Sequence, residues 1–188
     1  MLETLEHIDQ ELLLLINSFH SPFFDQVMWV ISDSKFGIPF YLFFYYLAYR
    51  FYGFKTATLI IFAGGLAVAL ADLSSKHLFK DVFMRYRPSH NLDIKKQIHL
   101  VYNYTGGKYG FVSSHSANMF AIATTLGLFF YQKNKKIILY LFAWAGLIAY
   151  SRMYLGVHYP SDIFVGGILG GTIGCIIYYF SYKYIIKK

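Results

Sequence analysis

Residues 151–162 read SRMYLGVHYPSD and place Arg152, His158 and Asp162 between two apolar runs that approach the length of a membrane span. Charged side chains are costly beside lipid, so a cluster of them at the mouth of two spans indicates a functional site. His158 and Asp162 are four residues apart, which on a helix would put the carboxylate on the same face as the imidazole. The carboxylate could then hold one ring nitrogen and leave the other free as a nucleophile.

The composition of the chain predicts a membrane-embedded protein. Of its 188 residues, 56% are hydrophobic and 14% are charged, a balance that does not fit a second, soluble domain. The net charge of +7 is spread over loops between apolar runs, which favours contact with anionic lipid or phosphate over nucleic acid. Because Cys175 is the only cysteine, a disulfide framework is excluded. We therefore predict one integral-membrane domain over residues 1–188.

Five apolar runs give this domain its expected architecture. Each approaches the roughly 20 residues needed to cross a bilayer. They cover residues 36–52, 56–79, 113–131, 137–151 and 163–180. The predicted fold is an all-α, polytopic helical bundle with a catalytic core over 36–180, and an amphipathic interfacial helix is expected within 1–34. The alternative is a sixth span over residues 8–31.

The loops predict which side of the membrane carries the charged cluster. Two short links, residues 50–55 and 132–136, are basic and contain no Asp or Glu. Basic loops tend to face the cytoplasm. The long polar stretch 85–112 and the turn 152–162 would then share the opposite face.

A second group of charged residues reaches that face from the polar stretch. Lys80 and Arg87, in KDVFMRYRP, are seven residues apart, so both would project from one face of a helix that Pro88 helps to end. Two fixed cations suit one dianion. Arg85 falls on a different face, and we interpret it as an interfacial residue.

A third group lies in FVSSHSAN, where Ser113, Ser114 and His115 stand at the entry of a polar loop into an apolar helix. Serines there can cap the helix, and the free N–H groups at its positive end form an anion site. Arg152 adds a planar guanidinium suited to paired hydrogen bonds with phosphate oxygens. Three cations, two histidines and one carboxylate are therefore expected to converge on one phosphate.

The spacing of these groups resembles the three-part signature of the type 2 phosphatidic acid phosphatase family of membrane lipid phosphatases. The match is Lys, six residues, Arg-Pro; then Ser-x-His; then Ser-Arg, five residues, His, three residues, Asp. The resemblance implies a phosphatase that needs no metal or other cofactor and works through a phosphohistidine. The same signature occurs in soluble vanadium haloperoxidases, against which the apolar spans argue.

The resemblance also implies a role for each residue. His158 is expected to attack phosphorus, Asp162 to fix its tautomer, and His115 to protonate the leaving oxygen. The residues expected to hold the phosphate are Lys80, Arg87, Ser113, Ser114 and Arg152. In one departure, Ser114 stands where the family usually has glycine, which puts a side chain where the backbone approaches phosphate.

The expected substrate is a lipid phosphate or diphosphate held at the bilayer surface. The outward-facing site and small size fit a bacterial inner-membrane enzyme with a periplasmic active site that acts on undecaprenyl diphosphate. Lipid A and phosphatidylglycerol phosphate are the alternatives, because no residue separates these substrates. Neither the oligomeric state nor the side of the N-terminus can be predicted.

Other interpretations of the same residues stay open at this point. A protein that binds or translocates lipid phosphate without catalysis would use the same anion pocket, and a purely structural membrane protein would need no pocket. A metal site of His115, His158 and Asp162 would leave three cations beside another cation, which counts against it. Asp72 stands four residues before Lys76 inside a predicted span, and we interpret the two as an internal ion pair.

Overall fold

Eight α-helices form the fold in the computed structural model, which describes residues 2–186. They are α1 (Leu2–Ser18), α2 (Pro22–Ser32), α3 (Ile38–Tyr52), α4 (Phe54–Ser74), α5 (Asp81–Phe83), α6 (Ser114–Tyr131), α7 (Lys136–Tyr154) and α8 (Pro160–Ile185). A π-helical segment, Ser75–Lys80, joins α4 to α5. Over the described residues the only β-type pairing is an isolated bridge between Tyr86 and Tyr109. The all-α prediction is confirmed.

Three helices within residues 2–186 are long and apolar enough to cross a membrane. They are Phe54–Phe83, Lys136–Tyr154 and Pro160–Ile185. Helices α3, with 15 residues, and α6, with 18, occupy the other two predicted span positions without meeting that criterion. The membrane helical bundle is thus confirmed, while five spans stays a prediction.

Helix α6 lies at the centre of the bundle, in contact with α4, α7 and α8. Its tightest partner is α8, because Gly166, Gly170 and Gly174 recur every four residues along the shared face and are buried. A Cβ atom at Gly166 would lie 2.8 Å from the carbonyl oxygen of Ser113, and one at Gly170 would overlap the backbone of Ala117. Small residues at this spacing let two helix backbones approach closely.

The N-terminal region that the structure describes, residues 2–34, contains two helices packed on the loop end of the bundle. Leu13 of α1 is buried in an apolar cluster with Tyr159 and two isoleucines of the polar stretch. The buried side chain of Asn17 donates to the carbonyl oxygens of His99 (3.0 Å) and Tyr154 (2.8 Å) and accepts from the His99 N–H (2.8 Å). The expected N-terminal helix is present, and Asn17 joins it to the polar stretch at His99 and to the end of α7 at Tyr154.

The path from Lys80 to Arg87 differs from the prediction. The helix ends at Phe83, Met84 takes a left-handed conformation with φ 46°, and Arg87 has an extended backbone with ψ 155°. The prediction that Lys80 and Arg87 share a helix face was therefore wrong. The helix is interrupted at the left-handed Met84, and the ring of Pro88 disfavours a helical conformation for Arg87.

The α6–α8 contact predicts a sharp difference between neighbouring glycines. Gly170→Ala should destabilise the protein by about 1–3 kcal/mol, because the added methyl group meets helix backbone that has no room to shift. Gly171→Ala is the matched control, since a Cβ atom there meets only Thr124 Oγ1, at 3.7 Å. Thermal unfolding in detergent measures both. Equal stability of the two variants would contradict the close packing of α6 on α8.

Candidate functional site

The three charged groups meet at one end of the bundle, where α6 and α8 begin and the Ser75–Lys80 segment ends. Lys80 Nζ donates to Ser114 Oγ at 2.5 Å, and Arg87 Nη1 lies 3.0 Å from His158 Nε2. The Ser113 N–H donates to the carbonyl oxygen of Asp162 at 3.1 Å, which joins the start of α6 to the start of α8. The structure therefore brings together residues that are up to 82 positions apart in the sequence.

His158 and Asp162 form a buried pair at the start of α8. His158 Nδ1 lies 3.3 Å from Asp162 Oδ2, and both side chains are almost completely inaccessible to solvent. Pro160 opens α8, so the pair lies at a helix start and not along one helix face as the sequence suggested. The same carboxylate oxygen accepts the Tyr159 N–H at 3.0 Å and completes a capping box. Because the carboxylate accepts a hydrogen bond from Nδ1–H, the proton stays on Nδ1 and Nε2 is left with its lone pair.

The guanidinium of Arg87 lies against Nε2 of His158, the ring nitrogen that Asp162 leaves free. The same guanidinium also donates to the carbonyl oxygens of Tyr109 (3.2 Å, from Nε) and Val157 (3.2 Å, from Nη1), so its position is fixed by backbone. Burial, and then the neighbouring Arg152, lowers the pKa of Arg87 to about 10. Burial, and then Arg87, lowers the pKa of His158 well below its usual value. At neutral pH, Arg87 is therefore charged and His158 is neutral.

Arg152 approaches the same space from α7. It donates to Ser32 Oγ and to the Tyr104 hydroxyl (3.3 Å), and its guanidinium lies 5.6 Å from the centre of the Tyr104 ring. Its Nε is buried and has no hydrogen-bond partner among the described residues. A buried N–H without a partner is costly. An anion bound beside Arg152 would supply the missing acceptor.

The start of α6 is built as the sequence predicted, with one addition. Ser113 is the N-cap, and its hydroxyl accepts the Ser116 N–H at 3.4 Å. Ser114 stands at the family's glycine position, and its hydroxyl accepts a hydrogen bond from the ammonium of Lys80. Ser75 Oγ lies 2.7 Å from Ser114 Oγ. The extra side chain therefore contacts a cation of the site and fixes its place.

The sequence of the chain matches the family model of the PAP2 superfamily over residues 56–186, which is more than half of its length. The chain belongs to the PAP2 superfamily. It is 33% identical over 184 residues to a lipid A 4'-phosphatase of Bacteroides thetaiotaomicron, a match that covers 97% of this chain and 81% of that protein. A lipid A 4'-phosphatase of Porphyromonas gingivalis is 32% identical over 182 residues, with 97% and 75% covered.

A solved structure shares the fold of this PAP2 protein. It is a transmembrane PAP2 type phosphatidylglycerolphosphate phosphatase from Bacillus subtilis, with a TM-score of 0.72 and 22% sequence identity over 96% of this chain and 87% of that one. The family resemblance noted in the sequence is thus confirmed. The protein is an integral-membrane phosphatase that hydrolyses phosphate esters of lipids.

Two cavities of this PAP2 phosphatase meet at His115. One has a volume of about 320 Å³ and is lined by Asp33, Asp72 and Asn118, and the other, of about 230 Å³, by Trp29, Tyr104 and Arg152. His115 and the segment 32–34 border both. His158 borders neither cavity, so of the two site histidines it is His115 that faces these cavities.

The predicted ion pair between Asp72 and Lys76 is not formed among the described residues. The Oδ1 atom of Asp72 accepts a hydrogen bond from Asn118 Nδ2 at 3.2 Å. The reason is the π-helical segment that begins at Ser75. A π-turn holds more residues than an α-turn, so positions four apart no longer stand above each other. Asp72 instead faces the larger cavity.

Arg85 was also misplaced by the sequence analysis, which assigned it to the interface. Its side chain is mostly buried and lies 3.0 Å from Asp162 and 2.8 Å from Asp9. Asp9, Ser32 and Tyr104 had no sequence signal as site residues. Each of them contacts an arginine of the site from a segment far away in the chain, so only the fold reveals them.

The contact between Ser114 and Lys80 can be tested by substitution. Ser114→Ala should weaken inhibition by inorganic phosphate about tenfold, because one hydrogen bond to a charged group contributes about 1.5 kcal/mol and keeps the ammonium in place. Ser114→Gly should show the same loss, since the hydroxyl and not the backbone is responsible. Thr172→Ala, on an exposed position of α8, is the control. If Ser114→Gly bound phosphate more tightly than the wild type, the hydroxyl would be an obstacle.

Proposed function

We propose that this PAP2 phosphatase removes a phosphate group from a lipid A-type glycolipid through a phosphohistidine on His158. The sequence analysis put undecaprenyl diphosphate first and lipid A among the alternatives. Two relatives that match 97% of the chain are lipid A 4'-phosphatases, and they favour the alternative. The observation that carries the proposal is the charge of the cavities beside His115.

The larger of these cavities is bordered by two carboxylates, Asp33 and Asp72, and Asp33 also borders the smaller one. The leaving group must lie on this side, because His115 is the acid that can reach it. Hydrolysis of a diphosphate releases a second, negatively charged phosphate, which both carboxylates would repel. Hydrolysis of a sugar phosphate releases a neutral hydroxyl, and sugar hydroxyls donate hydrogen bonds to carboxylates.

The proposed reaction has two steps, each with a defined proton path. In the first, His158 Nε2 leaves its contact with Arg87 and attacks phosphorus, the P–N bond forms, and the P–O bond to the sugar breaks. His115 gives its proton to the departing oxygen, and the charge of the bound phosphate favours the protonated form of His115 beforehand. Asp162 stabilises the positive imidazole that results. In the second, water attacks phosphorus, His115 takes the water's proton, and the P–N bond breaks.

Lys80, Arg87 and Arg152 are proposed to hold the three phosphate oxygens that do not react. The free N–H groups at the start of α6, which Ser113 caps, are proposed to donate to the same phosphate. These donors are fixed by hydrogen bonds before substrate arrives, so little reorganisation is needed as charge moves. No metal ion is required for this charge balance.

We further propose that the site lies at the periplasmic face of a bacterial inner membrane. Residues 50–55 run from the last turn of α3 through Gly53 into α4, and residues 132–136 run from the end of α6 to the start of α7. Helix α6 runs from Ser114 at the site to Tyr131 at the other end, and α4 runs from Phe54 to Ser74 beside the site. Both basic segments therefore lie at the end away from the site. The tendency of basic links to face the cytoplasm supports this orientation.

Phosphate release from a substrate panel tests the proposed function. The panel contains bisphosphorylated lipid A, undecaprenyl diphosphate and phosphatidylglycerol phosphate, assayed in EDTA for the wild type and His158→Ala. We expect lipid A to be hydrolysed at least tenfold faster than the other two, and the variant to lose all activity. Faster release from undecaprenyl diphosphate would overturn the substrate. Lipid binding without phosphate release from any substrate would instead indicate a binding or translocating protein.

The acidic lining makes a separate prediction about selectivity. The double variant Asp33→Asn, Asp72→Asn should raise kcat/KM for undecaprenyl diphosphate relative to lipid A about tenfold, because removing the two charges removes about 1.4 kcal/mol of repulsion. The double variant Glu11→Gln, Asp93→Asn, which removes two charges at exposed positions, is the charge-matched control. An unchanged ratio in the double variant would show that these carboxylates do not select the leaving group.

A further inference from the structure

Asp9, near the start of the chain, is a buried carboxylate in the first helix. Only 7% of its surface is accessible. It accepts hydrogen bonds from the Ser161 N–H (2.9 Å), the Ser161 hydroxyl (2.5 Å) and Arg85 Nη2 (2.8 Å). An amphipathic helix that only rested on the membrane would have no reason to bury a charged residue in this way.

Arg85 joins this carboxylate to the catalytic pair proposed above. Its Nη1 donates to Asp162 Oδ1 at 3.0 Å and to Ser161 Oγ at 2.8 Å. Its guanidinium also lies 4.1 Å from the centre of the Tyr159 ring. The arginine is therefore held from three sides, and its two terminal nitrogens face two different carboxylates.

The two oxygens of Asp162 have separate tasks in this arrangement. Oδ2 faces His158 Nδ1 and the Tyr159 N–H, whereas Oδ1 faces Arg85. The Asp162 side chain is fully buried, and Arg85 is the cation paired with it among the described residues. A buried carboxylate keeps its charge only with such a partner. A neutral Asp162 would no longer accept the Nδ1 proton of His158, and the ring would lose its reactive tautomer.

We propose that Arg85 and Asp9 are positioning residues for the phosphohistidine reaction, with Asp9 fixing Arg85 and Arg85 holding Asp162 toward His158. The inference rests on the roles proposed for His158 and Asp162. It adds α1 to the catalytic apparatus, although that helix lies outside the region 56–186 that matches the family model. The N-terminal helix thus contributes to turnover as well as to folding.

The test compares five variants of the full-length protein on the lipid phosphate that the wild type hydrolyses best. Arg85→Ala should lower kcat about 100-fold with little change in KM, and Arg85→Lys should recover part of that loss because it keeps a charge. Asp9→Asn should lower kcat about tenfold. Combining Asp9→Asn with Arg85→Ala should be no worse than Arg85→Ala alone, since both act through one contact. Glu11→Gln, exposed on the same helix, is the charge-matched control and should match the wild type.

The pH profile separates positioning from a loss of folded protein. The charged or titratable groups around Asp162 and its partner Arg85 come from four segments: Glu6 and Asp9 from α1, Lys80 from the π-helical segment, Arg85 and Arg87 from the loop after α5, and His158 and Tyr159 from the segment of Asp162 itself. Without the Arg85 cation, protons bind Asp162 more readily, so the acidic limb of kcat/KM should move to higher pH and activity should recover on the alkaline side. A misfolded protein would lose activity equally at every pH.

The outcomes keep this inference apart from the proposed function. If His158→Ala abolishes phosphate release while Arg85→Ala and Asp9→Asn match the wild type at every pH, the positioning role is refuted and the phosphohistidine stands. A uniform loss of kcat without any pH shift and with additive effects of the two substitutions would also refute it. If His158→Ala retains activity, the proposed function itself has failed.

Discussion

Mutual repulsion of three cations is the constraint on which the rest of this structure depends. Lys80, Arg87 and Arg152 converge at one end of an apolar bundle, where little water is present to screen them. Each is held by oxygen acceptors: Ser114 for Lys80, backbone carbonyls for Arg87, and two hydroxyls for Arg152. The acceptors that fix them are mostly neutral. The positive charge therefore stays available for an anionic substrate.

These neutral acceptors can reach the three cations only because the helices approach one another closely. The glycines of α8 let its first turn lie against the first turn of α6, and the Ser113 N–H then reaches the carbonyl oxygen of Asp162. This contact places the anion-binding start of α6 beside the His158–Asp162 pair. Close backbone packing along the bundle and charge geometry at its end are thus two aspects of one arrangement.

The sequence was sufficient for those parts of the fold that follow from local patterns. Apolar runs gave the helical bundle, and Ser113 was recognised as a cap because capping depends on neighbouring residues only. The convergence of Lys80, Arg87 and His158 followed from the order of the motifs, but the route between the first two did not. A helical spacing rule was applied across Met84, where the helix had already ended. Pro88 accounts for the extended backbone of Arg87, but not for the helix end at Phe83, four residues before Arg87.

Contacts between distant segments could not be predicted in this way. Arg85 and Asp9 are 76 residues apart, and nothing near either one indicates a partner. The contact of Ser114 with Lys80 was not predicted, because Ser114 was compared with the family's glycine for its effect on the backbone and its hydroxyl was not considered. The predicted ion pair of Asp72 with Lys76 was wrong for a different reason, because the π-helical segment after Asp72 changes the helical register.

The contacts of the first helix also constrain when the site can assemble during synthesis. Asn17 bonds to Tyr154, 137 residues later, and Asp9 bonds to Ser161, 152 residues later. The ribosome therefore releases the first helix long before any of its partners exists. In a nascent chain, the carboxylate of Asp9 lacks its full set of native partners until the start of α8 has been made, and the catalytic end can assemble only after that point.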